Sequence, residues 1–447
     1  MKKLIAFLFI FYFFSSNCIT LKITCRSKGM ELTLLKETID EWVKRTGNEH
    51  KVEVIVLPHA SNECFALYKQ WLSAEAFDVD IMQMDVAWIG VFADSLADLS
   101  EFYTPNEIDI DDYFDAIKRS MYSGKRMVAL PLYADCGIIY YRADLLENYE
   151  QPVPKTWQEL YDVALYIQNE ERKNPEKKNK FCGFVFQAKA FEMLTCNFVE
   201  IVDSFGGSLI KDGKVNVDSE EIQKSLLFLI DCLKNISTRS ILNYSEEDSR
   251  GVFQSGNAVF MKNWPYAWSL LNDPSTAVAG KVKVMAIPPS EDGGKASGVL
   301  GGWFVTVSRY SRHKALAANL VKFLTCKEQQ RIRSKNSYLP AFKSLYEDPQ
   351  VLKDNPFFVQ IRESLKNAVT RPSEYFGKNY SKASSEIFNA VNTILTDSIE
   401  SKVNIKRELK RLNKKLNTIK YSEKDSEKNR PTKKEGFWNR IKKFFGF

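Results

Sequence analysis

Three carboxylates stand where a strand gives way to a loop or helix: Asp85, Asp135 and, after the first strand, Glu31. Each lies within about three residues of an aromatic or a glycine. Ionised carboxylates accept strong hydrogen bonds from paired hydroxyls, and flat aromatic rings cover the apolar faces of a pyranose. Trp264, Tyr266 and Trp303 would supply such faces, so the two residue types together are the makings of a sugar site. The same tryptophans, next to Pro265 and to Gly301-Gly302, would equally serve as core packing. A pair of carboxylates such as Asp85 and Asp135 also admits acid and base work on a glycosidic bond.

Other chemistries lack their parts. Gly-x-Ser-x-Gly is absent, only three histidines occur (His50, His59, His313), and no His-x-x-x-His or Cys-x-x-Cys spacing exists. Neither a catalytic residue nor a metal or cofactor site is therefore expected. Gly301-Gly302 belongs to no phosphate-loop pattern, and its glycines read instead as backbone brought close to a ligand or as a hinge. Arg371, before Pro372, is a lone cation in a rigid turn.

The elements that must position these groups follow from periodicity. Leu21 to Cys25 alternates like a strand, Leu32 to Val43 has helical spacing, and Val52 to Leu57 is a second strand, an order that predicts a parallel βαβ unit. Val79 to Asp85 reads as a third, buried strand. Asp85 then occupies the carboxyl end of a strand, where open α/β sheets gather their ligands. Val128 to Tyr133 and Ile138 to Tyr141 are strand signals separated by the polar Ala134-Asp-Cys-Gly137, and Thr156-Trp-Gln-Glu159 is a capping box that opens a helix.

At 447 residues the chain exceeds one compact domain, and 44% hydrophobic residues exclude general disorder. The net charge of +7 is uneven. Residues 401–447 hold 16 Lys and Arg against 5 Asp and Glu, and residues 1–400 hold 47 against 51. A mildly acidic body argues against nucleic acid as a partner, which would need a basic stripe on the folded domain. Lys2 and Lys3 followed by the apolar run Leu4 to Phe14 read as a signal peptide over residues 1–18, too short to span a bilayer. The expected location is outside the cytoplasm, periplasmic or at the cell surface. Lipidation of Cys18 is the alternative to cleavage, and Asn17 fits it poorly. The remaining seven cysteines form no spaced cluster and read as buried thiols with at most one bridge.

Several segments together resemble a known family. They are Met84-Asp-Val-Ala-Trp-Ile-Gly90, Ala129-Leu-Pro-Leu-Tyr-Ala-Asp-Cys-Gly137 with Tyr140-Tyr-Arg-Ala-Asp-Leu145, Leu194-Thr-Cys-Asn-Phe-Val-Glu200, Gly256-Asn-Ala-Val-Phe260 with Asn263-Trp-Pro-Tyr-Ala-Trp268, Leu300-Gly-Gly-Trp303 and Asn367-Ala-Val-Thr-Arg-Pro372. Over residues 20 to 418 the chain resembles the sugar-binding proteins of ATP-binding-cassette importers, extracellular solute-binding protein family 1, and most closely their trehalose/maltose branch. That resemblance implies an α/β periplasmic-binding-protein fold, with two α/β lobes joined by crossing hinge segments and the ligand in the cleft between them. The crossings are expected near Ala134 to Gly137, Leu300 to Gly302 and Lys335. One lobe would comprise 19–134 and 302–335, the other 135–301 and 336–418, with 419–447 as a basic amphipathic tail.

By matched motif, Asp85 and Asp135 would bind sugar hydroxyls, Tyr133, Trp264, Tyr266 and Trp303 would stack on or line the cleft, and Gly301 and Gly302 would present backbone groups. Arg371 would hydrogen bond the sugar, and Glu31 matches less firmly. The family further implies a monomer that serves membrane permease subunits. One departure matters: where the disaccharide binders open the helix after the second strand with an arginine, this chain has Ser61-Asn-Glu-Cys-Phe-Ala-Leu67, which leaves the sugar open. A phosphorylated polyol is the alternative ligand. In the tail, Lys402 to Leu416 is expected to be a basic helix and Tyr421 to Lys434 to lack structure. In the final segment Phe437, Trp438, Ile441, Phe444 and Phe445 share one helical face, which suits an anionic membrane surface.

Overall fold

Strand β1 (Thr20–Cys25) buries its apolar residues and runs parallel to β2 (Lys51–Val56) on one side and β3 (Ile81–Asp85) on the other. Between β1 and β2 lies helix α1 (Met30–Arg45), which turns Leu34, Leu35, Ile39 and Trp42 inward at helical spacing. Helix α2 (Ser61–Ser73) makes the next crossover. The parallel βαβ start is thus as the sequence predicts. The structure, a computed structural model, describes residues 18–26, 29–58, 61–104, 106–296, 298–400 and 404–428. Of the expected signal peptide 1–18, residues 1–17 lie outside the described residues, as does the final amphipathic segment 436–447.

Strand β4 (Leu130–Cys136) joins this first sheet, and Gly137 alone separates it from β5 (Ile138–Arg142), which belongs to a second. The second sheet is completed by β6 (Cys182–Val185), β7 (Ala258–Asn263) and β8 (Val282–Ala286), in the order β8-β5-β7-β6. The chain then returns as β9 (Leu300–Val307), which inserts antiparallel between β3 and β4 and closes the first sheet as β2-β1-β3-β9-β4. Each sheet anchors one lobe of a mixed α/β chain. The first sheet runs about two residues further than expected at both crossings, taking in Asp135 and Cys136 on β4 and Leu300 and Gly301 on β9.

Around these sheets pack α3 (Glu192–Ser204), α4 (Glu246–Gln254), α5 (Lys327–Ser334) and α6 (Tyr380–Ile399). Helix α7 (Ile405–Lys428) ends the described chain. It buries Leu409, Leu412, Leu416 and Ile419, one stripe at three- and four-residue spacing, against the body. The helix continues through Tyr421 to Lys428, where the sequence is polar and was expected to lack structure. Once a helix is nucleated and docked, each further residue adds a hydrogen bond at little cost, which carries a polar segment beyond its last apolar contact. Among the described residues no helix is long and apolar enough to cross a membrane, and none of the eight cysteines is in a disulfide.

Where the lobes meet, segments distant in sequence lie side by side. Gly137 N donates to Val299 O at 3.2 Å, Leu300 N to Val369 O at 2.8 Å, Val369 N to Gly298 O at 3.1 Å, and Ala134 N to Leu339 O at 2.8 Å. A Cβ on Gly298 would stand 2.3 Å from Gly137 O and 2.5 Å from Cys136 Sγ, so glycine there is a steric requirement. Buried Glu200 of α3 accepts from Val299 N at 3.0 Å and thereby fastens the second lobe to the crossing. Gly298→Ala is expected to lower stability by about 2–3 kcal/mol, because the obstructing atom is backbone and cannot move alone. Urea denaturation checks this, and a midpoint equal to wild type would mean that the crossing is not so tightly packed.

Candidate functional site

The carboxyl ends of β1, β3 and β7 and the start of β9 converge at the crossing, and the charged and aromatic residues gather there. Asp85 closes β3, and its Oδ1 caps the short turn Val86–Trp88 by accepting from Ala87 N at 2.8 Å. The same oxygen takes Nη2 of Arg371 at 2.5 Å, while Arg371 Nη1 reaches Glu192 Oε1 at 2.9 Å. Glu192 opens α3 in the second lobe and also accepts from the hydroxyls of Tyr380 and Ser384. Arg371 therefore joins a carboxylate of one lobe to a carboxylate of the other. Burial would lower its guanidinium, but Asp85 and Glu192 hold it well above its ordinary value.

Asp135 is half-buried at the end of β4, opposite Gly301 of β9. Among the described residues its carboxylate has no hydrogen-bonding side chain or backbone N–H. Burial raises it from 3.8 to about 8, against the pull of Arg26, and the neighbouring charges of Glu31 and Asp85 add to the rise. Beside it, Trp264 follows β7, and the edge of its indole lies 2.9 Å from where a Cβ of Gly301 would be. The glycine thus lets an aromatic plate from the second lobe lie directly on the first sheet. Trp264 is half-buried, and Tyr140 OH holds its carbonyl at 2.9 Å. Lys262 Nζ stands 4.6 Å from the ring centre. That ammonium and the carboxylate of Glu200 are both buried, 3.5 Å apart, and burial raises Glu200 above the usual carboxylate range.

The other expected residues are held by protein partners. Glu31 lies in the first turn of α1, where its Oε1 accepts from Gln83 Nε2 and from Tyr133 OH at 3.0 Å. It positions Tyr133, which packs on Tyr338 with ring centres 4.8 Å apart. Tyr266 is half-buried and donates to Glu247 of α4 at 2.5 Å. Trp303 is buried, opposite Asp85 and Tyr133 on the two neighbouring strands, with Trp88 at its edge and the guanidinium of Arg26 4.7 Å over its ring. Gly302 pairs with Ala134 in the same ladder. The set that the structure brings together is thus Asp85, Asp135, Trp264, Gly301, Trp303 and Arg371.

Sequence reasoning missed Arg26, Glu192, Glu200, Glu246 and Lys262. Arg26 had a usable signal, since it is the first residue past β1, the same kind of position that marked Asp85. It also lies close enough to α2 for its charge to act on Cys64, so a guanidinium stands beside the helix that opens without one. A separate groove of about 470 Å³, lined by Val199, Val202, Leu209, Val369 and Tyr375 among others, shares only Arg371 with this set.

Residues 41–358 match the model of the bacterial extracellular solute-binding proteins. A probable ABC transporter-binding protein of Deinococcus radiodurans is 39% identical over 386 residues, which is 85% of this chain and 90% of that protein. A mannitol-binding protein of Pseudomonas aeruginosa is 22% identical over 225 residues, 49% of this chain and 50% of its own length. Among solved structures, the maltose-bound MalE3 of T. maritima superposes with a TM-score of 0.81 at 33% identity, covering 90% of this chain and all of that one. A D-mannitol-bound solute-binding protein from Agrobacterium vitis, at 18% identity and a TM-score of 0.74, shares the fold.

The raised Asp135 fixes a sign for stability. Between its unfolded value near 3.8 and its folded value of about 8, the native state binds the extra proton, so this group's contribution falls as pH rises and is fully unfavourable above about 8. Asp135→Asn should therefore be more stable than wild type at pH 9 and little different at pH 4. Denaturant titration at both pH values tests this; an equal difference at the two would show that Asp135 is not perturbed.

Proposed function

Because the chain belongs to the bacterial extracellular solute-binding proteins, we propose that it captures a neutral sugar between its lobes and delivers it to the membrane permease of an ABC importer. The observation that carries this reading is Trp264 lying on Gly301 beside the unsatisfied carboxylate of Asp135, an aromatic plate and a hydroxyl acceptor from opposite lobes. The maltose bound to the T. maritima protein, a 33% identical relative, supports a disaccharide of that kind or a related sugar. Lobes of 19–134 with 302–335 and of 135–301 with 336–418 would close over it as a monomer, after export and removal of residues 1–18, in the periplasm or at the cell surface.

The charge pattern favours binding over catalysis. Asp85 and Glu192 are neutralised by Arg371, and Glu31 is held by Gln83 and Tyr133. Only Asp135 of the expected carboxylates lacks a hydrogen-bond partner among the described residues, so the pair Asp85 and Asp135 is not free to act together as acid and base. The pattern also disfavours a phosphorylated polyol. Arg371 is already committed to two carboxylates, and Glu31, Asp135 and Glu246 surround Arg26. In the tail, α7 buries its apolar stripe and leaves Lys406, Lys410 and Lys414 exposed along one line. This supports an anionic lipid surface as a contact for the tail.

A thermal-shift screen of mono- and disaccharides and polyols should find one that stabilises the protein by about 2.7 kcal/mol at roughly 100 times its Kd. Trp264→Ala should weaken that ligand roughly 30- to 100-fold by removing the stacking face. Unchanged affinity would remove the indole from the site, and stabilisation by polyol phosphates alone would replace the sugar reading. For the tail, replacing Lys406, Lys410 and Lys414 by Ser should reduce sedimentation with phosphatidylglycerol vesicles, and unchanged co-sedimentation would contradict the lipid contact.

A further inference from the structure

Arg26 is built into the crossing in a way that its own protein contacts do not explain. Its backbone N–H is pinned to Gln83 Oε1 at 2.8 Å, so the first residue past β1 is fixed in place. The side chain then lies over Trp303, with the guanidinium carbon 4.7 Å from the ring centre. Its Nε is buried and has no hydrogen-bond partner. Glu31 and Asp135 of the first lobe and Glu246, at the start of α4 in the second, are all near enough for their charges to act on it. An arginine among carboxylates ordinarily closes a forked pair with one of them. Here the guanidinium is held over an indole, and none of the three carboxylates is paired with it. A buried N–H without an acceptor is costly, a deficit that an incoming hydroxyl oxygen would remove.

We propose that Arg26 is a ligand-contacting, specificity-determining residue whose guanidinium donates to adjacent hydroxyl oxygens of a neutral sugar, while those hydroxyls donate to Asp135 and Glu246. This rests on the sugar-binding reading above. Neutrality follows from the surroundings, because a carboxylate or phosphate on the ligand would meet three acidic side chains, while Lys262, the other cation that acts on Asp135 and Glu246, is buried against Glu200. The guanidinium sits on the first lobe and Glu246 on the second, so a hydroxyl that satisfies both requires the lobes to be together.

The test is calorimetric titration of the full chain with maltose, trehalose, mannitol and glucuronate, in wild type, Arg26→Ala and Arg26→Lys. Wild type should bind at least one of the neutral probes and not glucuronate. Arg26→Ala should weaken the bound probe by roughly 10- to 100-fold, with a different factor for each neutral probe that binds, since the fork matches one spacing of hydroxyls better than another. Arg26→Lys, which keeps the charge and loses the fork, should recover only part of the loss. A purely structural role would weaken every probe by the same factor. The melting temperature of each sugar-free variant checks the fold, and if Arg26→Ala does not fold, Arg26→Lys carries the test. Wild-type affinity in Arg26→Ala, or an equal loss for all bound probes, would overturn the role of Arg26 with the sugar reading intact. Preference for glucuronate would overturn the neutral class, and a wild type that binds no probe would overturn the sugar reading and this inference with it.

Discussion

Backbone meets backbone at Gly137 and Gly298 with no space for a side chain between them, and the placement of the candidate site depends on that contact. It brings β9 back into the first sheet in the one register that sets Gly301 opposite Asp135 and Trp303 opposite both Asp85 and Tyr133. Gly301 then leaves room for Trp264, which arrives from the other sheet. A bulkier residue at Gly301 would push the indole away from the carboxylate it stands beside. The site is thus a property of how two sheets are joined, and neither lobe contains it alone.

Electrostatics act on the same joint. Arg371 ties Asp85 of one lobe to Glu192 of the other, and Glu200 ties α3 to Val299 of the crossing with Lys262 as its buried counter-ion. Buried ion pairs add little net stability compared with apolar packing, but losing one partner is costly, which makes such pairs good at holding a specific arrangement. Asp135 and Arg26 differ from these pairs, since neither is closed into an ion pair among the described residues and each keeps hydrogen-bonding capacity toward the cleft. In the proposed function a sugar meets that capacity from both lobes at once, which is the differential contact that closure requires.

The sequence made some of this legible and hid the rest for physical reasons. Asp85 and Trp264 could be read because each follows a short apolar run at the carboxyl end of a strand, where side chains of α/β sheets are free to face a ligand. The parallel β1, α1, β2 start could be read from its change of period. Glu31 and Tyr133 were read as separate ligand contacts, and their mutual hydrogen bond was invisible because 102 positions separate them. Arg26 sits in a polar run that reads as an ordinary turn, and nothing local reveals that Trp303, far along the chain, lies beneath it. Lys262 was hidden inside an apolar strand, and its partner Glu200 lies on a helix between the apolar residues Phe198, Val199, Ile201 and Val202. The structured run from Tyr421 to Lys428 could not be read because no apolar periodicity marks it.

The proposed function requires a sugar to join the lobes at the crossing. Small-angle X-ray scattering of the protein alone and with saturating maltose, trehalose or mannitol tests this directly. Closure over a sugar predicts a smaller radius of gyration with at least one of them, abolished by Trp264→Ala. An unchanged radius with a sugar shown to bind would place that sugar outside the cleft and contradict it.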